Sequence, residues 1–364
     1  MKFNAALDDS VSYEAGKPIE LVVRDFGIES RDVVKLASNE NPYGCSPKVQ
    51  AAVSKIVGNM ALYPDDSMMK LKAALSKKFD VAEDELVIGA GSDQVIEFAI
   101  HAKASKGSKI LMNSITFAMY EIYAKQVGAQ VVRTTSREHD LDAFYDLYVE
   151  HNPEIIFICT PNNPTGDAID ADKLKAFLDK IDSETLVVVD GAYMEYTRFK
   201  DESKSVTPKE LVDAYDNVLY LGTFSKAYGL GGMRVGYGIA RADIIKAFYK
   251  LRPPFNITTL TLEAAAVALD DEAFVQDCIA KNFEEMGRYN DFAAKHDLEA
   301  IESFTNFVTL VFDEKRSASK LAQELLERGM IVRDLKGYGL NAIRVTIGTP
   351  AQNDRFFELA DSLL

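Results

Sequence analysis

Cysteine and histidine are scarce in this 364-residue chain, which holds three of the first and four of the second. Cys45, Cys159 and Cys278 lie far apart and form no CxxC pair, which argues against a disulfide framework and points to a reducing, cytoplasmic compartment. His101, His139, His151 and His296 show no metal-ligand spacing, so no metal and no catalytic histidine is assigned. Long apolar runs are missing too: none approaches the roughly 18 residues that cross a bilayer. The opening MKFNAALDDS has no apolar stretch of the signal-peptide kind. Basic residues are outnumbered 41 to 56, leaving a formal charge of −15. Such a balance argues against general nucleic-acid or anionic-membrane binding. An anionic ligand would need a local basic pocket, and individual arginines become informative for that reason.

What is present is ordinary for a soluble globular protein. Hydrophobic residues make up 47% and charged residues 27%, and the length allows one or two domains with a substantial core. Short apolar runs alternate with amphipathic stretches, which predicts an α/β fold with a mostly parallel central sheet flanked by helices. Strands are expected at 86–89, 109–112, 130–133, 154–159, 186–189, 218–221 and 235–240. Helices are expected at 92–103, with Ser92 as N-cap, and at 118–127, 141–150 and 173–181. RPPFN (252–256) breaks the pattern, and one long helical region, 261–295, follows it. After it come strands at 307–312, 331–333 and 342–347, a helix at 319–328 and a terminal helix. The reading is an N-terminal arm (1–34), a large domain (35–252) and a smaller α+β domain (253–364).

The unusual polar runs follow expected strands, and in parallel sheets ligands bind at the strands' carboxyl ends. GAGSDQ (89–94) leads into a helix, where free N–H groups at Ser92, Asp93 and Gln94 suit an anion. It is neither GxGxxG, because Gln94 stands at the third glycine, nor a P-loop, and alone it also suits a plain capped turn. Asp190 ends LVVVD and could hold a protonated ring nitrogen, or equally cap a helix. Tyr193 could reach the same ligand or simply pack. In TPNNPTG (160–166), Asn163 offers an amide to a ring oxygen. Phe117 in ITFAMY suits stacking on an aromatic ligand as well as a core position. TFSKAYGLGGMRVGYG (223–238) joins an amine, Lys226, to Thr223, Ser225, glycines and Arg234. An amine beside phosphate-binding groups suits an anionic aldehyde, though a solvated loop lysine reads the same way in isolation. Arg333 and Arg344 stand in β-like apolar segments, where an arginine binds a carboxylate or phosphate, or makes an internal ion pair.

The ordered set GAGSDQ, ITFAMY, TPNNPTG, DGAY, TFSKAYGLGGMRVGY and a late arginine resembles the fold type I pyridoxal-phosphate aminotransferases of classes I and II over almost the whole chain. SYEAGKPIE (12–20), KLASNENPYG (35–44), LYPDD (62–66) and MIVRDLKGYGLNAIRVTIGT (330–349) are most similar to the histidinol-phosphate aminotransferase subfamily. The resemblance implies pyridoxal 5'-phosphate as cofactor, and histidinol phosphate with glutamate or 2-oxoglutarate as substrates, in histidine biosynthesis. It implies that Lys226 joins the cofactor aldehyde and then shuttles a proton, and that Asp190 pairs with the ring nitrogen. Asn163 and Tyr193 would contact the ring hydroxyl, and Phe117 would stack on the ring. Ser92, Asp93, Thr223, Ser225 and Arg234 would surround the phosphate. Tyr63 would reach the phosphate of a partner subunit, which makes a homodimer the expected active unit. Arg344 would bind the amino-acid carboxylate, and Tyr13, Arg333 and Arg344 the phosphate of histidinol phosphate.

The chain departs from the family pattern at two places. Ile115 replaces a frequent proline, and Gly191 stands where DEAY has glutamate. Neither removes a proposed catalytic group, but both bear on side-chain selection. An aromatic amino-acid aminotransferase uses the same machinery, and a decarboxylase of a phosphorylated amino acid would release carbon dioxide without consuming 2-oxoglutarate. A non-catalytic ligand-sensing relative is a third alternative.

Overall fold

The structure, a computed structural model, describes residues 1, 5–7, 12 and 18–364. Its strands, in chain order, are β1 (Val34–Lys35), β2 (Leu86–Gly89), β3 (Lys109–Met112), β4 (Gln130–Arg133), β5 (Ile155–Cys159), β6 (Leu186–Asp190), β7 (Val218–Thr223), β8 (Gly236–Ile239), β9 (Glu299–Ala300), β10 (Phe307–Val311), β11 (Met330–Ile331), β12 (Arg333–Asp334) and β13 (Ala342–Thr346). A seven-stranded sheet has the order β2-β8-β7-β6-β5-β3-β4. Only β8 runs antiparallel to its neighbours. This is the mostly parallel α/β architecture expected from the alternating pattern.

The sheet forms because its central strands are apolar at nearly every position and buried throughout. Alternate residues serve opposite faces. Val187, Val189, Ile156 and Ile158 enter one core, while Val188, Leu186, Ile155 and Phe157 enter the other. Each fully buried valine or isoleucine stabilises by about 1.5–3 kcal/mol. That double-sided burial is why these strands read as continuous apolar runs.

A second sheet, β12-β13-β10-β9, is antiparallel and has its own core with helices Glu272–Lys295, Ala318–Glu327 and Pro350–Asp361. Two segments cross the expected boundaries. Strand β1 pairs with β11, and Leu36 enters the core of the second unit. Conversely, Ala264, Ala265 and Ala268 of helix Thr259–Leu269 pack into the core of the large sheet. The expected single helical region is two helices. The break falls at Asp270 and Asp271, where the Asp271 backbone (φ −114°, ψ 56°) leaves the helical region and its carboxylate is taken by Ser46 Oγ and by Lys48 Nζ at 2.6 Å. Strand 331–333 is likewise divided into β11 and β12. Among the described residues, no helix is long and apolar enough to cross a membrane.

Candidate active site

The parallel strands deliver their polar runs to one place. Asp190 ends β6, Thr223 ends β7, Asn163 follows β5, and Arg234 stands one residue short of the antiparallel β8, with Val235 between. A cavity of about 140 Å³ is lined by Ser92, Asp93, Phe117, Asn163, Asp190, Tyr193, Thr223, Ser225, Lys226 and Arg234, together with Gly91, Cys159 and Ala192. A second cavity, about 330 Å³, shares Asp93, Phe117, Asn163, Lys226 and Arg234 and adds Arg333, Arg344, Tyr338, Met119 and residues 37–39. The two are therefore chambers of one cleft. Among the described residues that the resemblance assigns to the site, Tyr63 does not line either chamber. Tyr63 is 82% exposed and stacks on Phe255 at 4.7 Å between ring centroids. Tyr13 lies outside the described residues.

One end of the smaller chamber is built from close backbone approach. Gly91 has φ +81°, and a Cβ there would lie 2.7 Å from Arg234 Nη2. A Cβ on Gly236 would lie 2.1 Å from the Ser92 nitrogen. These glycines let the guanidinium and the start of helix Ser92–Lys103 meet. Gly91, not Ser92, is the N-cap, and no side chain caps the helix. Ser92 instead opens the helix, which leaves its hydroxyl for the chamber. Gln94 Oε1 accepts the Ala90 N–H at 2.9 Å, so the residue at the missing third glycine closes the turn. Arg234 donates to Gly231 O at 3.1 Å and Ser225 Oγ at 3.4 Å, and the Thr223 and Ser225 hydroxyls are 3.1 Å apart. Two hydroxyls, a guanidinium and a helix start make this end an anion cradle. Asp93 is the exception. Burial raises its pKa, Tyr123 donates to its Oδ2 at 2.9 Å, and its Oδ1 is buried without a hydrogen-bond partner.

The same chamber also holds a carboxylate. Asp190 is buried; Tyr120 Oη donates to its Oδ2 at 2.6 Å and the Ala192 N–H to its Oδ1 at 3.1 Å. Burial raises its pKa, while these two bonds and the charge of Lys226 oppose the rise. Tyr193 accepts from Asn39 Nδ2 at 2.8 Å, which leaves its own hydrogen to donate into the chamber. Burial also raises the Tyr193 pKa, keeping that hydrogen in place. Arg344 is held by Asn163 Oδ1 and by Ala37 O, the latter at 2.8 Å. Arginine has only donors, so the end of the Asn163 amide that it meets is the oxygen.

Lys226 lines both chambers. Its pKa is lowered to about 8, first by burial, then by the charge of Arg344; Arg234 adds to the effect, and Glu40 and Asp190 oppose it. Nζ donates to Ser38 O at 3.3 Å. The segment 36–39 is thus a strap whose successive carbonyls accept from Thr346 N, Arg344, Lys226 and Asn306. It threads between the two sheets and ties both to the amine.

Sequence reasoning missed Tyr120, Asn39 and Cys159. Tyr120 stood in ITFAMY beside Phe117, and Asn39 in KLASNENPYG. Their signal was too weak alone, since a buried tyrosine or a loop asparagine has many ordinary uses. The Asn39 backbone has φ +54°, a conformation that asparagine tolerates better than most residues.

Residues 31–359 match the family model described as aminotransferase class I and II. A histidinol-phosphate aminotransferase from Sulfurimonas denitrificans is 66% identical over 364 residues, all of both chains. One from Aliarcobacter butzleri is 59% identical, covering 100% of this chain and 99% of that relative. Among solved structures, a histidinol-phosphate aminotransferase from Sinorhizobium meliloti in complex with pyridoxal-5'-phosphate superposes with a TM-score of 0.89. It covers 100% of this chain and 98% of its own at 24% identity, which speaks to the fold alone.

Proposed function

The chain belongs to the class I and II aminotransferases, and on that premise we propose that it exchanges the amino group between histidinol phosphate and 2-oxoglutarate, with pyridoxal 5'-phosphate as cofactor. The observation that carries the reading is the double chamber. An amine whose pKa is lowered to about 8 lines the same chamber as an anion cradle and a buried carboxylate, and a second space with two arginines shares that amine.

The donor set fits the cofactor. Ser92, Thr223, Ser225 and Arg234 suit its phosphate, and Asp190 its ring nitrogen. Tyr193 and the Asn163 amide suit the ring hydroxyl, Phe117 the ring face, and Lys226 the aldehyde. When bound, pyridoxal phosphate supplies an aldehyde that accepts the amino group and a ring that delocalises the electron pair. Asp190 keeps a positive ring nitrogen favourable by supplying an opposing charge away from water. Lys226 Nζ, unprotonated at a modest cost because its pKa is near 8, would take the proton from the substrate carbon and deliver it to the cofactor carbon on the other side of the transferred nitrogen.

Arg344 and Arg333 orient the substrate's anion. Glutamate offers a carboxylate, and histidinol phosphate has a phosphate but no α-carboxylate. An arginine fork accepts both groups, and a single cleft therefore suits both half-reactions. Tyr13 joins the substrate phosphate contacts in this reading. Asp93 contributes to the phosphate end through its backbone N–H, since its carboxylate would repel an anion.

The active unit in this reading is a homodimer in the cytoplasm, with the partner's Tyr63 completing the phosphate site. The bracing of LYPDD supports that role. Asp66 takes two bonds from Arg252, at 2.8 and 2.7 Å, and one from the Phe255 N–H at 2.7 Å, which holds Phe255 under the exposed Tyr63 ring.

The deciding experiment is a paired assay on cofactor-loaded protein. The expected outcome is loss of visible absorbance with glutamate, recovery with 2-oxoglutarate, and faster turnover of histidinol phosphate than of phenylalanine. Faster turnover of phenylalanine would replace the reading with an aromatic aminotransferase, and carbon dioxide release with a decarboxylase.

A further inference from the structure

We propose that Tyr120 is a positioning residue that aims the Asp190 carboxylate into the cleft and keeps it ionised, thereby setting how firmly the cofactor ring nitrogen holds its proton. The inference rests on the reading above. Tyr120 lies in helix Met119–Gln126, is fully buried, and donates to Asp190 Oδ2 at 2.6 Å. With the Ala192 N–H on Oδ1, each carboxylate oxygen has one fixed protein donor. Those two bonds set the plane of the carboxylate and leave its remaining lone pairs for the chamber.

The remaining groups around Asp190 do not substitute for the tyrosine. Lys226 favours the charged carboxylate by attraction, but the same amine has to lose its proton to work. Asp93 disfavours it, and Cys159, Tyr193 and Tyr220 are buried acids that remain neutral beside it. A buried carboxylate with too few donors takes up a proton and then offers the ring nitrogen no opposing charge. Tyr120 cannot release its own proton in compensation, because burial and the Asp190 charge both hold it on. It is therefore a donor over the whole working pH range.

Its position is fixed independently of the hydroxyl. The ring stacks on Phe157 at 4.3 Å between centroids and 9° between planes, and meets Phe117 edge-on at 5.6 Å and 82°. Phe117 is the residue assigned to the cofactor ring face, so one side chain braces the ring's partner at its face and its partner at the nitrogen. The aromatic packing and the hydrogen bond can consequently be removed one at a time.

The test uses the cofactor-loaded protein. Tyr120→Phe keeps the ring and deletes the donor. Expected are a fall in kcat of about tenfold or more, KM values within about threefold, and an acid limb of kcat moved upward by about one pH unit. The pH profile of the cofactor's visible absorbance, read without substrate, should move as well. Phe157→Leu, which loosens the stack and keeps the hydroxyl, should lower thermal stability and leave the acid limb near that of the parent. A Tyr120→Phe protein with the parent's absorbance profile and a kcat within about twofold would overturn the proposal alone. A parent protein that forms no lysine-linked chromophore would overturn it together with the functional reading. Should Tyr120→Phe fail to fold, a slowly exchanging tyrosine hydroxyl proton in the parent that disappears in Asp190→Ala, which keeps no acceptor, is expected, and its absence from the parent counts against the proposal.

Discussion

Replacing Lys226 by methionine should destroy turnover and at the same time stabilise the cofactor-free protein. The magnitude follows from the amine's surroundings. Burial and the charge of Arg344 bring its pKa from 10.5 to about 8. In the unfolded chain the amine keeps its ordinary affinity for a proton. Folding therefore works against that proton by about 3 kcal/mol at neutral pH. Methionine carries no charge and fills a similar volume. Against the gain stands one long hydrogen bond, Nζ to Ser38 O at 3.3 Å, worth about 0.5–1 kcal/mol. The net expectation is about 2 kcal/mol of added stability at pH 7. Its pH dependence is distinctive. A folded pKa below the unfolded one gives a penalty that is complete below about pH 8 and fades as pH rises toward 10.5. Urea unfolding of both proteins at pH 7 and pH 10 measures this, since urea does not screen charge. Equal stabilities at pH 7, or a gain of the same size at both pH values, would refute the electrostatic reasoning even if activity were lost.

Other perturbations test other parts of the structure. A Cβ on Gly191 would lie 2.5 Å from Tyr220 Oη and 2.7 Å from its ring, so Gly191→Ala should cost about 1–3 kcal/mol in unfolding experiments. Tyr220→Leu should recover part of that loss in the double variant; strict additivity would dismiss the clash. Asp66→Asn should lower stability by about 0.5–1 kcal/mol, less than the pKa shift alone would give because the carboxylate is partly exposed and screened by water, with the difference present above about pH 4 and lost on acidification toward pH 2, because Arg252 holds the Asp66 pKa down to about 2. An unchanged urea midpoint at pH 7 would contradict it. Arg333→Ala should raise KM for histidinol phosphate about tenfold or more and KM for glutamate much less, and equal effects on both would remove Arg333 from phosphate recognition.

The Gly191 position shows how a departure from a family pattern acquires a physical reason. From sequence it is simply a missing glutamate after Asp190. In the fold, the space beside residue 191 is already occupied by Tyr220, which projects from β7. The smallest residue and a large neighbour are two halves of one packing solution. Neither half is interpretable without the other, because they are far apart in sequence and meet only where β6 pairs with β7.

Local signals carried much of the architecture. The strands of the large sheet were legible because burial on both faces demands apolar residues at every position. The anion cradle was legible because glycines, small hydroxyls and an arginine are unusual neighbours at strand ends. Ser92 was misplaced as a cap because its hydroxyl looks the same whether it serves the helix or the cavity. The break at Asp270 and Asp271 has no glycine or proline to mark it, and the contacts that hold the Asp271 carboxylate, from Ser46 and Lys48, lie more than two hundred positions earlier.

By itself, the sequence carried the fold class and set the polar runs at strand ends, since both depend on residue type and short-range order; Lys226 as the candidate amine came from the resemblance to a family. Tertiary structure alone decided which groups tune them. Tyr120 meets Asp190, Asn39 meets Tyr193, and the strap at 36–39 ties Arg344 and Lys226 to the same short backbone segment. Those contacts depend on desolvation and on distances of a few ångströms between remote segments, and neither quantity exists until the chain has folded.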